Sequence, residues 1–224
     1  MGRISVIRHA DARAQARWLS IRVAALLRAR VRDRSRAILA LPGGDTPTPF
    51  FNALSRQPAP WSHVIVTLTD ERWIDPRAPG SNERQVRRAL LRHDARRAQF
   101  APLKTCAPRA RAALPTLEAR LRALTPIDVC VLGMGADGHV ASLFPGRFSF
   151  PRKLVAAVRE QGARGAAERV SLTLAALIAA RHVILLIRGA EKQAALWKHL
   201  AAGAAATPIA ALARARRILV SWAP

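Results

Sequence analysis

Hydrophobic positions along the chain follow two alternating rhythms. Short continuous apolar runs recur at ISVIRH (4–9), AILAL (37–41), VIVTLT (64–69), IDVCVL (127–132), LVAAV (154–158), HVILLI (182–187) and RRILVSW (216–222). Runs of this length, rich in Val, Ile and Leu, predict strands buried on both faces. Between them the apolar residues fall at helical spacing. Asp11 to about Arg34 predicts one helix, with Leu19, Val23, Leu26 and Leu27 on a stripe and arginines between. TPTPFFNAL (46–54) predicts a second, with Asp45 or Thr46 as N-cap and Pro47 in the first turn. Further helices are predicted over 83–91, 114–124, 175–181 and 189–203, the last closed by Gly203. QPAPWS (57–62), the polar stretch 70–82 and the stretch 159–168 read as loops, and RVSLTL (169–174) leads into the helix after it.

Strands that alternate with helices and are themselves continuously apolar predict an α/β fold with an open, mostly parallel sheet, covered by helices on both faces. No repeat or low-complexity linker interrupts the chain, so a single domain over residues 1–224 is expected. Open sheets of this kind bind ligands beyond the carboxyl ends of their strands. Four segments follow strands: LPGGDTP, TDER, GMGADGH and RGAEK. All four are expected at one edge.

These segments carry the candidate chemistry. Gly43 and Gly44 let main-chain N–H groups approach an anion, and the helix after them adds its dipole. Pro-Gly-Gly is equally an ordinary turn. Asp45 would repel a phosphate, unless it turns away to cap the helix. Arg72 could hold an anion in its donor fork, or belong to a solvated loop. GMGADG matches the G-x-G-x-x-G fingerprint, but Pro145 and Gly146 interrupt the chain soon after it and the strand before it is not the first. A dinucleotide site needs a long helix there, so that reading is rejected. Asp137 and His139 instead flank a glycine at a strand end, which suits an imidazole taking a proton from water while a carboxylate fixes its tautomer. Lys192 lies in the first turn of a helix, where a bound anion would relieve its conflict with the dipole. The other histidines, including His63, His93, His182 and His199, show no comparable setting.

Composition changes this picture little. The formal charge is +23, carried mostly by arginine. Such a charge invites nucleic acid. Yet the arginines are scattered through alanine-rich helical segments, as a GC-rich coding bias would produce, and no nucleic-acid motif accompanies them. Nucleic acid is therefore not the expected partner, although the charge would attract an anionic metabolite. Cys106 and Cys130 are two lone cysteines without a second Cys or His at ligand spacing, which predicts a reducing compartment, no disulfide scaffold and no metal. The longest apolar runs fall far short of the roughly 18 residues a membrane span needs. The arginine-rich start lacks the apolar centre of a secretory signal and reads as part of the fold.

Taken together and in this order, LPGGDTPTPFFNAL, TDERW with Ser81–Asn82, GMGADGHVASLFPG, RVSLTLAAL and RGAEK are similar to the motifs of 6-phosphogluconolactonases. The resemblance runs from about Ala37 to the C-terminus. It implies a Rossmann-like three-layer α/β/α sandwich, similar to that of glucosamine-6-phosphate isomerases and deaminases. It implies hydrolysis of 6-phosphogluconolactone to 6-phosphogluconate in the oxidative pentose phosphate pathway, in the cytoplasm, with no cofactor or metal. Residue by residue it implies His139 as the general base, Asp137 orienting or tuning it, and Arg72 near the substrate, stabilising charge on the intermediate. Gly43, Gly44 and Thr46 would hold the phosphate with Arg169 and Lys192, and Asn82 belongs to the motif. The expected partner is a small sugar-phosphate lactone, with no membrane and a monomer as the default state. Two positions depart from the family pattern: Asp45 where serine is usual, and Val140 where threonine usually follows the histidine. The first would weaken phosphate binding or alter its pH dependence, and the second have a modest effect. The loops between Lys104 and Leu114 and around Gly162 are short. A related amino-sugar-phosphate deaminase would carry a glutamate after the Gly-His pair, as in GHIAFNEP, whereas GHVASLFP has no acid. A basic nucleic-acid-binding protein without activity is the rival of another class.

Overall fold

A computed structural model of the protein describes residues 4–148, 152–159 and 168–224. Of the predicted loop 159–168, residues 160–167 lie outside the described residues. Seven strands form one sheet: β1 (Ile4–Arg8), β2 (Ala37–Leu41), β3 (Val64–Leu68), β5 (Gln99–Phe100), β6 (Val129–Leu132), β9 (His182–Arg188) and β10 (Ile218–Ala223). They lie in the order β1-β10-β9-β6-β2-β3-β5, every pairing parallel. Helices cover both faces in a Rossmann-like α/β arrangement. The apolar runs explain why these strands sit inside: every residue of β2 and of β6 is buried.

The chain builds outward from β2 to β3 and β5, then returns to the other side of β2 with β6, β9 and β10. The loops after β2 and β6 therefore leave neighbouring strand ends in opposite directions. That crevice is the topological switch point, where open parallel sheets bind ligands.

Helix α1 (Ala12–Arg34) starts where predicted, with Asp11 accepting from Ala14 N at 2.7 Å. Leu19, Val23 and Leu27 are fully buried, and the buried Gln15 donates to Ile187 O and Ser221 O, tying α1 to β9 and β10. Helix α2 (Thr48–Leu54) corrects the expected cap. It begins at Thr48 after Pro47, with no side-chain cap, and the Asp45 main-chain carbonyl accepts from Thr48 N. Neither Asp45 nor Thr46 caps it.

The predicted loop 70–82 holds a strand, β4 (Asp70–Arg72), and runs to α3 (Asn82–Ala89), capped by Ser81. β4, β8 (Glu168–Leu172) and β7 (Val155–Arg159) form a second, antiparallel sheet in the order β4-β8-β7. β4 escaped the hydrophobic pattern because its buried residues, Asp70 and Glu71, are acids satisfied by distant partners.

Helix α4 (Ala110–Leu124) starts four residues earlier than predicted, because the Glu168 carboxylate of β8 accepts from Ala110 N at its first turn. Helices α5 (Leu174–Ala179) and α6 (Ala190–Ala201) match their predictions closely. Helix α7 (Pro208–Ala215) was not predicted. It has Thr207 as a side-chain N-cap and Pro208 at its start. Cys106 is exposed and Cys130 buried, both free, and burial pushes the Cys130 thiol up to about 12. Among the described residues no helix is long and apolar enough to cross a membrane.

Candidate active site

A cavity of about 320 Å³ opens at the switch point. Gly43, Gly44, Thr46, Arg72, Asn82, His139, Arg169 and Lys192 all line it. They come from the four segments expected at one edge, plus α3 and β8. Asp137 does not line the cavity; it stands behind His139.

The loop after β6 is wound tightly around the His139 ring. Gly135 N donates to His139 O, and Gly138 N donates to Gly135 O, each at 3.0 Å. Gly138 has φ +82, which a side chain would strain, and a Cβ there would lie 2.7 Å from the His199 ring. The Asp137 Oδ1 accepts from the His139 ring Nδ1 at 2.6 Å and from its main-chain N–H at 3.2 Å. With Nδ1 held as the donor, Nε2 is the nitrogen left to act as a base. The Phe144 ring packs against the imidazole, with centroids 5.0 Å apart.

Partial burial works to raise the Asp137 carboxyl. The His139 charge and the hydrogen bonds from His139 and from Asp137's own N–H outweigh it and hold the carboxyl below its usual range. A folded-state value below the unfolded one means the contact stabilises the loop above the ordinary carboxylate range. That contribution is lost as pH falls through the lowered value.

His199 was set aside on sequence, yet its Nε2 donates to Ala136 O at 2.9 Å and its ring packs against Gly138. It sits seven residues after Lys192 on α6, so both project from one face of the helix. That spacing was the available signal.

Three cations, Arg72, Arg169 and Lys192, share this cavity with His139. Arg72 and Arg169 are direct cross-strand partners in β4 and β8. Like charges in that register are unfavourable unless something negative lies between them. Arg72 donates through Nη1 to Gly80 O, while its buried Nε has no hydrogen-bond partner among the described residues. Lys192 adds a third cation from the first turn of α6, beside that helix's free N–H groups.

Beside Arg72 lies a polar scaffold that sequence reasoning missed in part. The Glu71 carboxylate is buried and accepts four hydrogen bonds, from Arg72 N at 2.7 Å, Ser81 Oγ at 2.9 Å, Asn82 N at 2.9 Å and Glu83 N at 2.7 Å. Burial raises its carboxyl, against the pull of those bonds. The arrangement fixes the start of α3 to β4. Asn82 then reaches back, its Nδ2 donating to Asp70 O at 2.8 Å. Its amide also presses on the loop after β2: a Cβ on Gly43 would lie 1.8 Å from Asn82 Oδ1. Gly43 is thus required by close approach to Asn82. Asp70 lines the cavity and accepts from Ser142 Oγ at 2.7 Å, while Ser142 N donates to Ser171 Oγ. The loop carrying His139 is thereby tied to both strands that carry the arginines.

Gly43→Ala is expected to destabilise the fold by about 1–3 kcal/mol through this overlap. Adding Asn82→Ala should recover part of the loss, which a double-mutant cycle by chemical denaturation would measure.

A family model described as glucosamine-6-phosphate isomerases/6-phosphogluconolactonase matches residues 10–222. The chain belongs to this family. A 6-phosphogluconolactonase of Rhizobium meliloti is 41% identical over 211 residues, which is 90% of this chain and 91% of that protein. One of Pseudomonas aeruginosa is 38% identical over 221 residues, 94% of this chain and 91% of its own. Among solved structures, a 6-phosphogluconolactonase of Shewanella baltica superposes with a TM-score of 0.88 at 30% identity, covering 100% of this chain and 99% of that one.

The two departures from the family pattern have different settings. Val140 is fully buried and does not line the cavity. Its missing hydroxyl is therefore lost to the core and not to the space around the His139 ring. Asp45 is exposed at the cavity rim, where its charge does face incoming anions. Residues 140–145 include no acid; the acids in the cavity wall are Asp45 and Asp70.

Proposed function

We infer that the protein hydrolyses 6-phosphogluconolactone to 6-phosphogluconate, with His139 as general base. The observation that carries this reading is that His139, held by Asp137, lines one cavity together with three cations. A neutral imidazole fixed at Nδ1 offers Nε2 to a water. The water's oxygen attacks the lactone carbonyl as its proton passes to Nε2. Arg72 neutralises the charge gathering on the carbonyl oxygen. When the tetrahedral intermediate collapses, the ring C–O bond breaks and the imidazolium returns the proton to the ring oxygen. The resulting acid ionises in water, and His139 is neutral again.

Gly43, Gly44 and Thr46 on one side, with Arg169 and Lys192 on the other, would hold the phosphate; main-chain N–H groups at glycines and paired cations are what a phosphate dianion needs. Asn82 acts as a brace between the loop after β2 and β4. Asp45 at the rim weakens phosphate capture without abolishing it. No acid follows the Gly-His pair, which favours lactone opening over deamination of an amino sugar. The free cysteines suit a cytoplasmic setting.

The test is the ratio of kcat/KM for 6-phosphogluconolactone and for unphosphorylated gluconolactone. Loss of several charge-assisted hydrogen bonds should make kcat/KM for the unphosphorylated lactone lower by at least about 10²-fold. Equal values would mean that the cations do not bind the phosphate. Release of ammonia from glucosamine 6-phosphate would favour the deaminase reading instead.

A further inference from the structure

A second cavity, about 520 Å³, adjoins the first and shares Gly44, Asp45, Arg72 and Asn82 with it. Its outer wall is the face of α3 that carries Arg84 and Arg88. These two are one helical turn apart, a spacing at which like charges oppose helix formation. Neither makes an ion pair among the described residues. Arg87, from the same helix, pairs with Glu83 at 2.8 Å and lies over the Phe100 ring, so its charge is committed elsewhere. Gln85 locks the wall to the loop after β2, donating to Gly44 O and to Thr48 Oγ1. The wall is thus fixed in place by a contact independent of any ligand.

The charges facing this space are Arg72, Arg84 and Arg88 against Asp45. Glu71 and Glu83 lie nearby but are buried and engaged, the first by four donors and the second by Arg87. The balance is positive and distinct from the Arg169 and Lys192 charges, which line the first cavity and not this one. A sugar monophosphate has one phosphate and needs one such group. Two adjoining groups joined through Arg72 match an anion with charge distributed along its length.

We propose that this cavity is a second anion subsite, which takes a chain of linked phosphates running from Arg72 to Arg84 and Arg88 and competing with the substrate for Arg72. The competition rests on the hydrolytic reading above; the binding does not. Inorganic tripolyphosphate is the probe, with adenosine triphosphate beside it to distinguish an inorganic source from a nucleotide one.

Both ligands are titrated calorimetrically at about 0.15 M ionic strength, where surface charge is screened beyond about 8 Å, into wild type and into Arg84→Ala/Arg88→Ala. Steady-state kinetics on the lactone follow with and without each ligand. The expected result is binding of at least one ligand that weakens roughly tenfold or more in the double variant. That ligand should raise the KM of the wild type and leave kcat unchanged. The double variant, checked for an unaltered melting temperature and repeated as Arg88→Ala alone, should keep its own KM for the lactone. Equal affinity in wild type and variant would overturn the proposal, since the overall charge alone would then account for binding. So would a raised KM for the lactone in the variant, which would assign both arginines to the substrate. If wild type binds tripolyphosphate but turns over no lactone, the hydrolytic reading fails and the calorimetric comparison still decides the subsite.

Discussion

His139→Ala is expected to lower kcat for lactone hydrolysis by about 10²–10⁴-fold, the usual worth of a positioned general base. KM should change little, because His139 is not among the groups proposed to hold the phosphate. Asp137→Asn should fall between wild type and His139→Ala. It keeps an acceptor for the proton on Nδ1, the nitrogen 2.6 Å from Oδ1 in the wild type, but removes the charge that favours the imidazolium. Steady-state kinetics on the three proteins, with uncatalysed ring opening subtracted, read the order directly. An Asp137→Asn variant as slow as His139→Ala would mean that the carboxylate does more than orient the ring.

Glu71→Gln is expected to cost about 1–3 kcal/mol of stability, from a substitution that changes almost no volume. The carboxylate accepts from three main-chain N–H groups and one hydroxyl. A glutamine oxygen can keep the bonds from Arg72 N and Asn82 N, but its NH₂ then points at Ser81 Oγ and Glu83 N. Ser81 Oγ already accepts from Arg84 N, and Glu83 N–H would be left without an acceptor in a buried place. Relief of the buried charge offsets part of the loss and sets the lower end of the range. In a chain of this size the melting temperature should fall by about 2–12 °C. Because Glu71 joins β4 to the start of α3, the same variant should also lower kcat by displacing Arg72. A melting temperature equal to wild type would show that the four hydrogen bonds contribute nothing net.

How much of this was legible in the sequence depended on where each residue's partners lie. The long strands of the main sheet are buried on both faces, so their apolar runs announced them. β4 is buried too, but its partners for Asp70 and Glu71 come from Ser142 and from α3, and a polar triplet reads as loop until those are known. The start of α4 was misplaced for a similar reason, since its first turn is met by Glu168 from a distant strand. The Thr-Pro signal has opposite outcomes at two of its occurrences. At Thr46–Pro47 it predicted a side-chain cap that is absent, while at Thr207–Pro208 it marks a true cap and the start of α7. In the site, the four strand-end segments led to the cavity residues because parallel sheets place their ligands there. The registers of Arg72 with Arg169 and of Asn82 with Gly43 needed the fold. His199 was overlooked because its role lies in a contact to a main-chain carbonyl, which no motif reports.

The most direct test of the account is the rate at which freshly generated 6-phosphogluconolactone opens near neutral pH, followed side by side with wild type, with His139→Ala and without protein. Acceleration by wild type that falls to the uncatalysed rate, or close to it, in the folded variant is the predicted result. Acceleration that survives the substitution undiminished would contradict the assignment of His139 as the base. A well-folded wild type that gives no acceleration would contradict the hydrolytic function itself.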